Sequence, residues 1–303
     1  MPEAHTLFES GELYLGELRC APDDHSWGED AVVTHPIIAL PCSPTWVVRR
    51  RTERYLVNPN HAVIHQAGDE YRRERFAARG YRCLFVFAGE RLLGEIAGEH
   101  DPAAADTAAY RLPTGLTSLD PAGFSLSRRL ARYMSEEPHP DGIRASDALY
   151  RILRAVVTGA CRDRVPGRRG GTRPATRRAH AVMAEDAKEA LTSRFAERLT
   201  VADLSRSMHV SPYHLTRVFR RQTGTGIHEY LNQLRLRAAL ERIRDGHDDL
   251  ASLAVEVGFS SHSHLSANFR RAFGDPPSMT RADPPRGWPA EEPAVAASKR
   301  ARI

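Results

Sequence analysis

The spacing of apolar residues along this 303-residue chain changes character three times. Between residues 31 and 96, short runs rich in β-branched and aromatic side chains (AVVTHPIIAL, TWVVRR, HAVIHQ, YRCLFVFAG) are broken by Pro41, Asn58-Pro59, Gly68-Asp69 and Gly80. Such runs between turn residues predict strands, closing into an antiparallel barrel or sandwich. After Gly98 the period lengthens. Leu126, Leu130, Tyr133 and Met134, then Leu149, Ile152, Leu153 and Val156, recur at three- and four-residue steps, predicting helices over residues 125–135 and 146–157 beside the barrel. Residues 162–179 carry seven arginines, glycine, proline and almost nothing apolar, and predict a flexible basic linker. Beyond it the pattern is helical to about residue 281, and residues 284–303 read as a disordered tail. The fold class expected is α+β in two domains: an antiparallel barrel with flanking helices over 1–161, and an all-α domain over 180–283.

The all-α domain contains a faint repeat. LTVADLSRSMHVSPYHLTRVFRRQTG and DLASLAVEVGFSSHSHLSANFRRAFG share apolar positions and the ending F-R-R-x-x-G, with Ser211 and Ser261 fifty residues apart in register. In the first copy, a short helix ends at a His209-Val210 turn and a second restarts at Ser211-Pro212. Serine can accept from the orphan N–H groups of a first turn, and proline at the first helical position has no N–H to lose. Leu215, Val218 and Phe219 then share one side of the restarted helix, leaving Tyr213, His214, Thr216, Arg217, Arg220 and Arg221 around the rest. This is a helix-turn-helix pattern, in which the second helix enters a DNA major groove by its N-terminus. The second copy places Leu253, Ala254 and Val257 on the supporting helix, Gly258-Phe259 at the turn, and a reading helix over 261–273. Between the copies, residues 227–244 predict one connecting helix of about 27 Å, at 1.5 Å per residue.

Charge sharpens this division. Residues 1–161 hold 18 Arg and 22 Asp plus Glu, net −4; residues 162–179 hold 7 against 1, net +6; residues 180–283 hold 14 against 13, net +1. An acidic first half has no reason to approach a polyanion, whereas the rest can do so where its arginines cluster. No apolar run approaches the roughly 18 residues of a membrane helix. The acidic start MPEAHTLFESGELYLGEL lacks the features of a signal peptide, so a cytoplasmic protein without membrane contact is expected. The four cysteines are scattered, which disfavours disulfide and zinc frameworks.

Residues 180–281 resemble the DNA-binding domain of the AraC family of bacterial transcription regulators. The resemblance rests on S-P-x-x-L-x-R-x-F from Ser211 to Phe219, Gly224, R-L-x-x-A from Arg235 to Ala239, and V-G-F-S-S-x-S-H-L-S from Val257 to Ser266, with Phe269, Phe273-Gly274 and Pro277. It implies base contacts from Tyr213, Thr216 and Arg217 in the first unit and from His262, Ser263 and Ser266 in the second. It also implies phosphate contacts from Ser211, Arg220, Arg221, Arg270 and Arg271. Two departures stand out: Ala267 where many relatives carry arginine, so the second unit is expected to position more than to specify, and Thr280 where a tyrosine would close the pattern.

Around TERYLVNPNHAVIHQAGDEYR the chain more loosely resembles the cupin-like sensor domain found in front of this DNA-binding domain. That implies a barrel binding a small-molecule effector, with Arg49, Arg51, Tyr55 and His65 as candidates and a homodimer through the N-terminal domain. The partners implied are double-stranded promoter DNA and, for an activator, RNA polymerase. The H-x-H pair of metal-binding cupins is missing: His61 and His65 are four apart, with Glu70, Glu74 and His100 downstream, so neither metal nor cofactor is expected. Two alternatives remain, a constitutive DNA binder whose barrel only dimerises and a cupin-type metal enzyme.

Overall fold

The computed structural model describes residues 2–50, 52–105, 110–163 and 173–281. Strands β1 (Glu3–Ser10), β2 (Leu13–Cys20), β3 (Asp30–Val32), β4 (Ile37–Pro41), β5 (Thr45–Arg49), β6 (Glu53–Val57), β7 (His61–His65), β8 (Glu70–Glu74) and β9 (Tyr81–Ala88) come first. Helices α1 (Glu90–Gly98) and α2 (Pro102–Ala105), strand β10 (Leu116–Ser118) and helices α3 (Pro121–Glu136) and α4 (Gly142–Asp163) complete the N-terminal half. Two antiparallel sheets result, one ordered β1-β2-β9-β4-β7-β10 and the other β3-β8-β5-β6.

Period-two alternation decides which residues face which layer. Ile38, Leu40, Ala62, Ile64, Leu84 and Val86 point to one side of the larger sheet and merge with Leu149, Ile152, Leu153 and Val156 of α4 in a single core. On the opposite face Ala39 and Val63 meet Val47 and Val57 of the smaller sheet. A strand buried on both faces reads as a near-continuous apolar run, as β7 does with all five positions buried, whereas β9 alternates buried with half-buried positions. The β-rich stretch ends sooner than expected, since Glu90–Gly98 is helical, burying Leu93, Gly94, Ile96 and Ala97 on one side. Leu130 of α3 and Leu149, Ile152, Leu153 and Val156 of α4 are fully buried within the chain.

The C-terminal half comprises α5 (Pro174–Ser193), α6 (Val201–Ser207), α7 (Pro212–Thr223), α8 (Ile227–Arg244), α9 (Leu250–Glu256), α10 (His262–Phe273) and α11 (Pro277–Arg281). Helix α5 begins within the stretch read as linker. Pro174 occupies its first turn, where a missing N–H costs nothing, so residues 174–179 are helical. The remainder of that stretch from residue 164 to 172, and the tail from 284, lie outside the described residues.

The two halves share a buried seam. Side chains of α5 cap the free edge of β6: Leu56 N–H donates to Glu185 Oε2 at 2.7 Å, and Lys188 Nζ donates to Leu56 O at 3.0 Å while pairing with Glu185 at 2.7 Å. An exposed strand edge is a pairing hazard, and here a helix covers it. The β6–β7 turn inserts Asn58, whose Nδ2 donates to Tyr230 Oη at 2.7 Å and Thr192 Oγ1 at 2.9 Å. Asn60 Nδ2 donates to Tyr230 O at 3.1 Å. Arg237 of α8, 1% exposed, donates to the carbonyls of Pro59 and Leu119. Arg128 of α3 pairs with Glu241 of α8 at 2.7 Å.

Candidate nucleic-acid interface

Local rules build both reading helices. Ser211 is the N-cap of α7, its Oγ accepting from His214 N–H at 3.2 Å with Pro212 next; Ser261 repeats the bond to His264 N–H at 3.2 Å for α10. Each helix is twelve residues long and ends at a glycine of positive φ, Gly224 at 80° and Gly274 at 90°. Gly258 at the second turn has φ of 88°, and a Cβ there would stand 2.8 Å from Ala196 O, so both conformation and space require glycine. Leu215, Val218 and Phe219 are buried under α7, and Leu265 and Phe269 under α10. Helix α8 runs over the predicted eighteen residues between the two units.

What faces outward is the set expected to read DNA. Tyr213 is 76% exposed, unusual for an aromatic, and Arg217 sits with its guanidinium 6.0 Å from that ring. Thr216 is exposed, its hydroxyl proton given to Pro212 O at 2.8 Å, leaving its lone pairs to accept. Arg220 and Arg221 are exposed in the last turn of α7, as are Arg270 and Arg271 in α10. Among the described residues, no carboxylate lies within ion-pair distance of Arg217, Arg220, Arg270 or Arg271. Elsewhere the chain pairs its surface arginines freely, as in Arg194–Glu197 at 2.7 Å and Arg242–Glu256 at 2.9 Å. Unneutralised cations on one helix face suit phosphates and guanine edges.

In the second unit His262, Ser263 and Ala267 are exposed and Ser266 half-buried. His262 Nε2 and Ser266 Oγ are 3.3 Å apart, so the two predicted readers partly satisfy each other. His264 is held instead by Ser260 at 3.0 Å and by the Phe259 ring.

Sequence reasoning missed the first turns of α5. Its ring at His180 lies 5.5 Å from that of His214 on α7, and desolvation, then the cationic neighbourhood of His214, Arg221 and Arg217, pushes its pKa down. The exposed first turns of α5, with Arg173, Arg177 and Arg178, therefore extend the basic surface beside the first reading helix. The arginine run was visible as charge, but its assignment to a linker hid the helix that carries it.

The effector candidates divide. Arg49 is bound to Asp69 at 2.5 Å, so its guanidinium is already engaged by a carboxylate of its own chain, and Asp69 also meets Arg111 at 3.4 Å. Arg51 lies outside the described residues. Neighbouring Arg54 stacks on Trp46 at 3.7 Å and pairs with Glu74 at 2.9 Å. Tyr55 has a buried hydroxyl without a hydrogen-bond partner. His65 lines a cavity between the sheets, stacked on Tyr71 with centroids 4.1 Å apart. His61 accepts from Asn58 N–H at 3.2 Å, and His100 bonds Thr158 at 2.9 Å, so the histidines do not converge. No three metal-ligating side chains come together among the described residues.

Comparison with known proteins bears on this domain. A family model described as a helix-turn-helix domain matches residues 204–283. A putative AraC-like transcription regulator of Streptomyces lividans is 40% identical over 89 residues, 29% of this chain and 29% of that protein. The C-terminal domain is of the AraC type. The AraC-type region also aligns with the transcriptional activator RhaS of Pectobacterium carotovorum subsp. carotovorum, 31% identical over 30% of this chain and 33% of that protein. The chain thus spans about a third or less of the length of these two relatives, and the likeness is confined to the AraC-type domain. A crystal structure of ToxT from Vibrio cholerae covers 90% of this chain and 98% of its own at 10% identity and a TM-score of 0.36, a superposition too loose to bear on the N-terminal half. Among the described residues, no helix is long and apolar enough to cross a membrane.

Proposed function

We propose that this chain is a sequence-specific DNA-binding regulator of transcription whose N-terminal barrel binds a small-molecule effector. The observation that carries the reading is the pair of capped, matched helices α7 and α10, each presenting arginines without carboxylate partners. Helix α8 fixes their separation, and two reading helices on one face of a duplex fall about one helical turn, roughly 34 Å, apart. Tyr213, Thr216 and Arg217 are the base readers of the first unit. Arg220, Arg221, Arg270 and Arg271, with the hydroxyl proton of Ser211, hold phosphates. The second unit, lacking arginine at Ala267, positions more than it specifies. The chain acts in the cytoplasm on promoter DNA and is not an enzyme; contact with RNA polymerase would follow if it activates.

Arg217→Ala is expected to cost about 1 to 3 kcal/mol on the cognate duplex and to relax sequence choice. Arg220→Ala should weaken cognate and random duplexes alike and flatten the dependence of log affinity on log salt by about one unit. Both are read from salt titrations of duplex binding. Equal losses on both duplexes for both variants would overturn the division into readers and positioners.

A constitutive binder is the competing reading, favoured by the exposure of both reading helices with the domains already docked.

A further inference from the structure

The two sheets enclose a cavity of about 200 Å³, and its chemistry is one-sided. Leu18, Ile37, Val47 and Val63 make an aliphatic wall, into which β8 and β9 bring Arg73, Tyr71, Tyr81 and Cys83. Among the described residues, Arg73 has no carboxylate within ion-pair distance. Its polar contacts are a bond from Nη1 to Cys20 Sγ at 3.3 Å and the Tyr81 ring at 5.8 Å. The surrounding ionisable groups do not supply the missing charge. Burial pushes the pKa values of Cys20, Tyr71 and Tyr81 up and that of Cys83 to about 11, so all four are neutral near pH 7. A largely covered guanidinium without a counter-charge is costly, and removing such a group is ordinarily stabilising unless function retains it.

A second, independent observation lies in the same cavity, on the facing sheet. His65, 4% exposed, has its Nδ1 buried without any hydrogen-bond partner. Buried polar atoms are normally satisfied, and an orphan beside an unpaired cation in an apolar cavity marks the place of an absent acceptor or donor.

Building on the reading of the barrel as an effector domain, we propose that this cavity binds a small organic monoanion, a carboxylate on an aromatic ring or a short branched chain, with its carboxylate on Arg73 and a polar atom on His65. A cavity of about 150 Å³ holds benzene, so the space of about 200 Å³ here accommodates a benzoate-sized molecule. A route to the DNA-binding domain is built in. Strand β7 carries Val63 and His65 in the cavity wall and, at its other end, His61, whose ring is 5.9 Å from Tyr230 of α8. A ligand that shifts β7 alters the Asn58–Tyr230 contact in the seam.

The test uses the full chain with benzoate and isovalerate as probes and benzamide as the neutral isostere of benzoate, in calorimetric titrations and thermal shifts. At least one acid should bind and raise the Tm, and benzamide should bind at least tenfold more weakly than benzoate. Arg73→Met should lose at least tenfold in acid affinity while its ligand-free Tm equals or exceeds that of the parent. Arg73→Lys, which keeps the charge, should retain part of the affinity. Failure of both acids to bind, equal binding of benzoate and benzamide, or a ligand-free Arg73→Met chain of lower Tm would each overturn the site. Acid binding that leaves affinity for a cognate duplex unchanged keeps the site and removes the effector reading.

Discussion

Replacement of Arg237 by alanine is expected to lower the unfolding free energy by about 3 kcal/mol, the largest single loss at any seam position. The side chain leaves the middle of α8, lies 4.9 Å from the Phe124 ring, and donates to the carbonyls of Pro59 and Leu119 from the barrel side. Its removal strands two buried carbonyls, at roughly 1 to 3 kcal/mol each, and opens a cavity. Relief from burying an unpaired cation offsets part of that loss; burial already pushes the arginine pKa down to about 9. Arg237→Met separates the terms, since it keeps most of the volume but not the hydrogen bonds. Urea unfolding of the three proteins measures both. A methionine variant at least as stable as the parent would show that apolar packing alone holds the domains together.

Acid should destabilise the chain above the range in which carboxylates titrate. Burial, with Lys188 and Arg237 nearby, holds the His61 pKa well below its ordinary value; burial, with Arg49 and Arg73, holds His65 at about 4. Both are neutral when folded, while the unfolded chain takes up protons near 6.5. Their contribution is therefore fully present above about pH 6.5 and is lost as pH falls from there toward the folded values. For His65 the full loss is about 3 kcal/mol, at 1.36 kcal/mol per unit. Glu17 and Glu74, whose arginine bonds lower their pKa values, add their losses only further down. Urea midpoints between pH 7.5 and 4.5 should fall, and His65→Asn should flatten that fall. An unchanged slope in the variant would show that His65 is free to protonate in the folded chain.

What the sequence revealed and what it hid differ by the range of the forces involved. The caps at Ser211 and Ser261, the glycines ending α7 and α10, and the span of α8 rest on neighbours within a few positions, and each was legible. Strand β7 was legible because both its faces are buried, and β9 because its half-buried face also carries aromatic side chains, Phe85 and Phe87. The β1–β2 hairpin escaped notice because β1 is an edge strand whose exposed positions carry Glu3, His5 and Glu9, which blur its alternation. The seam was invisible for a deeper reason. Lys188 and Arg237 look like surface cations in any window of sequence, and only pairing across more than a hundred residues buries them against Leu56, Pro59 and Leu119. The same holds for the effector candidates: nothing local distinguishes Arg49, neutralised by Asp69, from Arg73, which is not.

The central claim, sequence-specific recognition by the paired helices, is tested most directly by selecting fragments of the source genome on the purified full chain at a fixed salt concentration and sequencing what is retained. The expected result is enrichment of a few fragments sharing an element of about two helical turns, lost in Arg217→Ala but kept, at lower yield, in Arg220→Ala. Retention of all fragments alike, with Arg217→Ala indistinguishable from the parent, would contradict it.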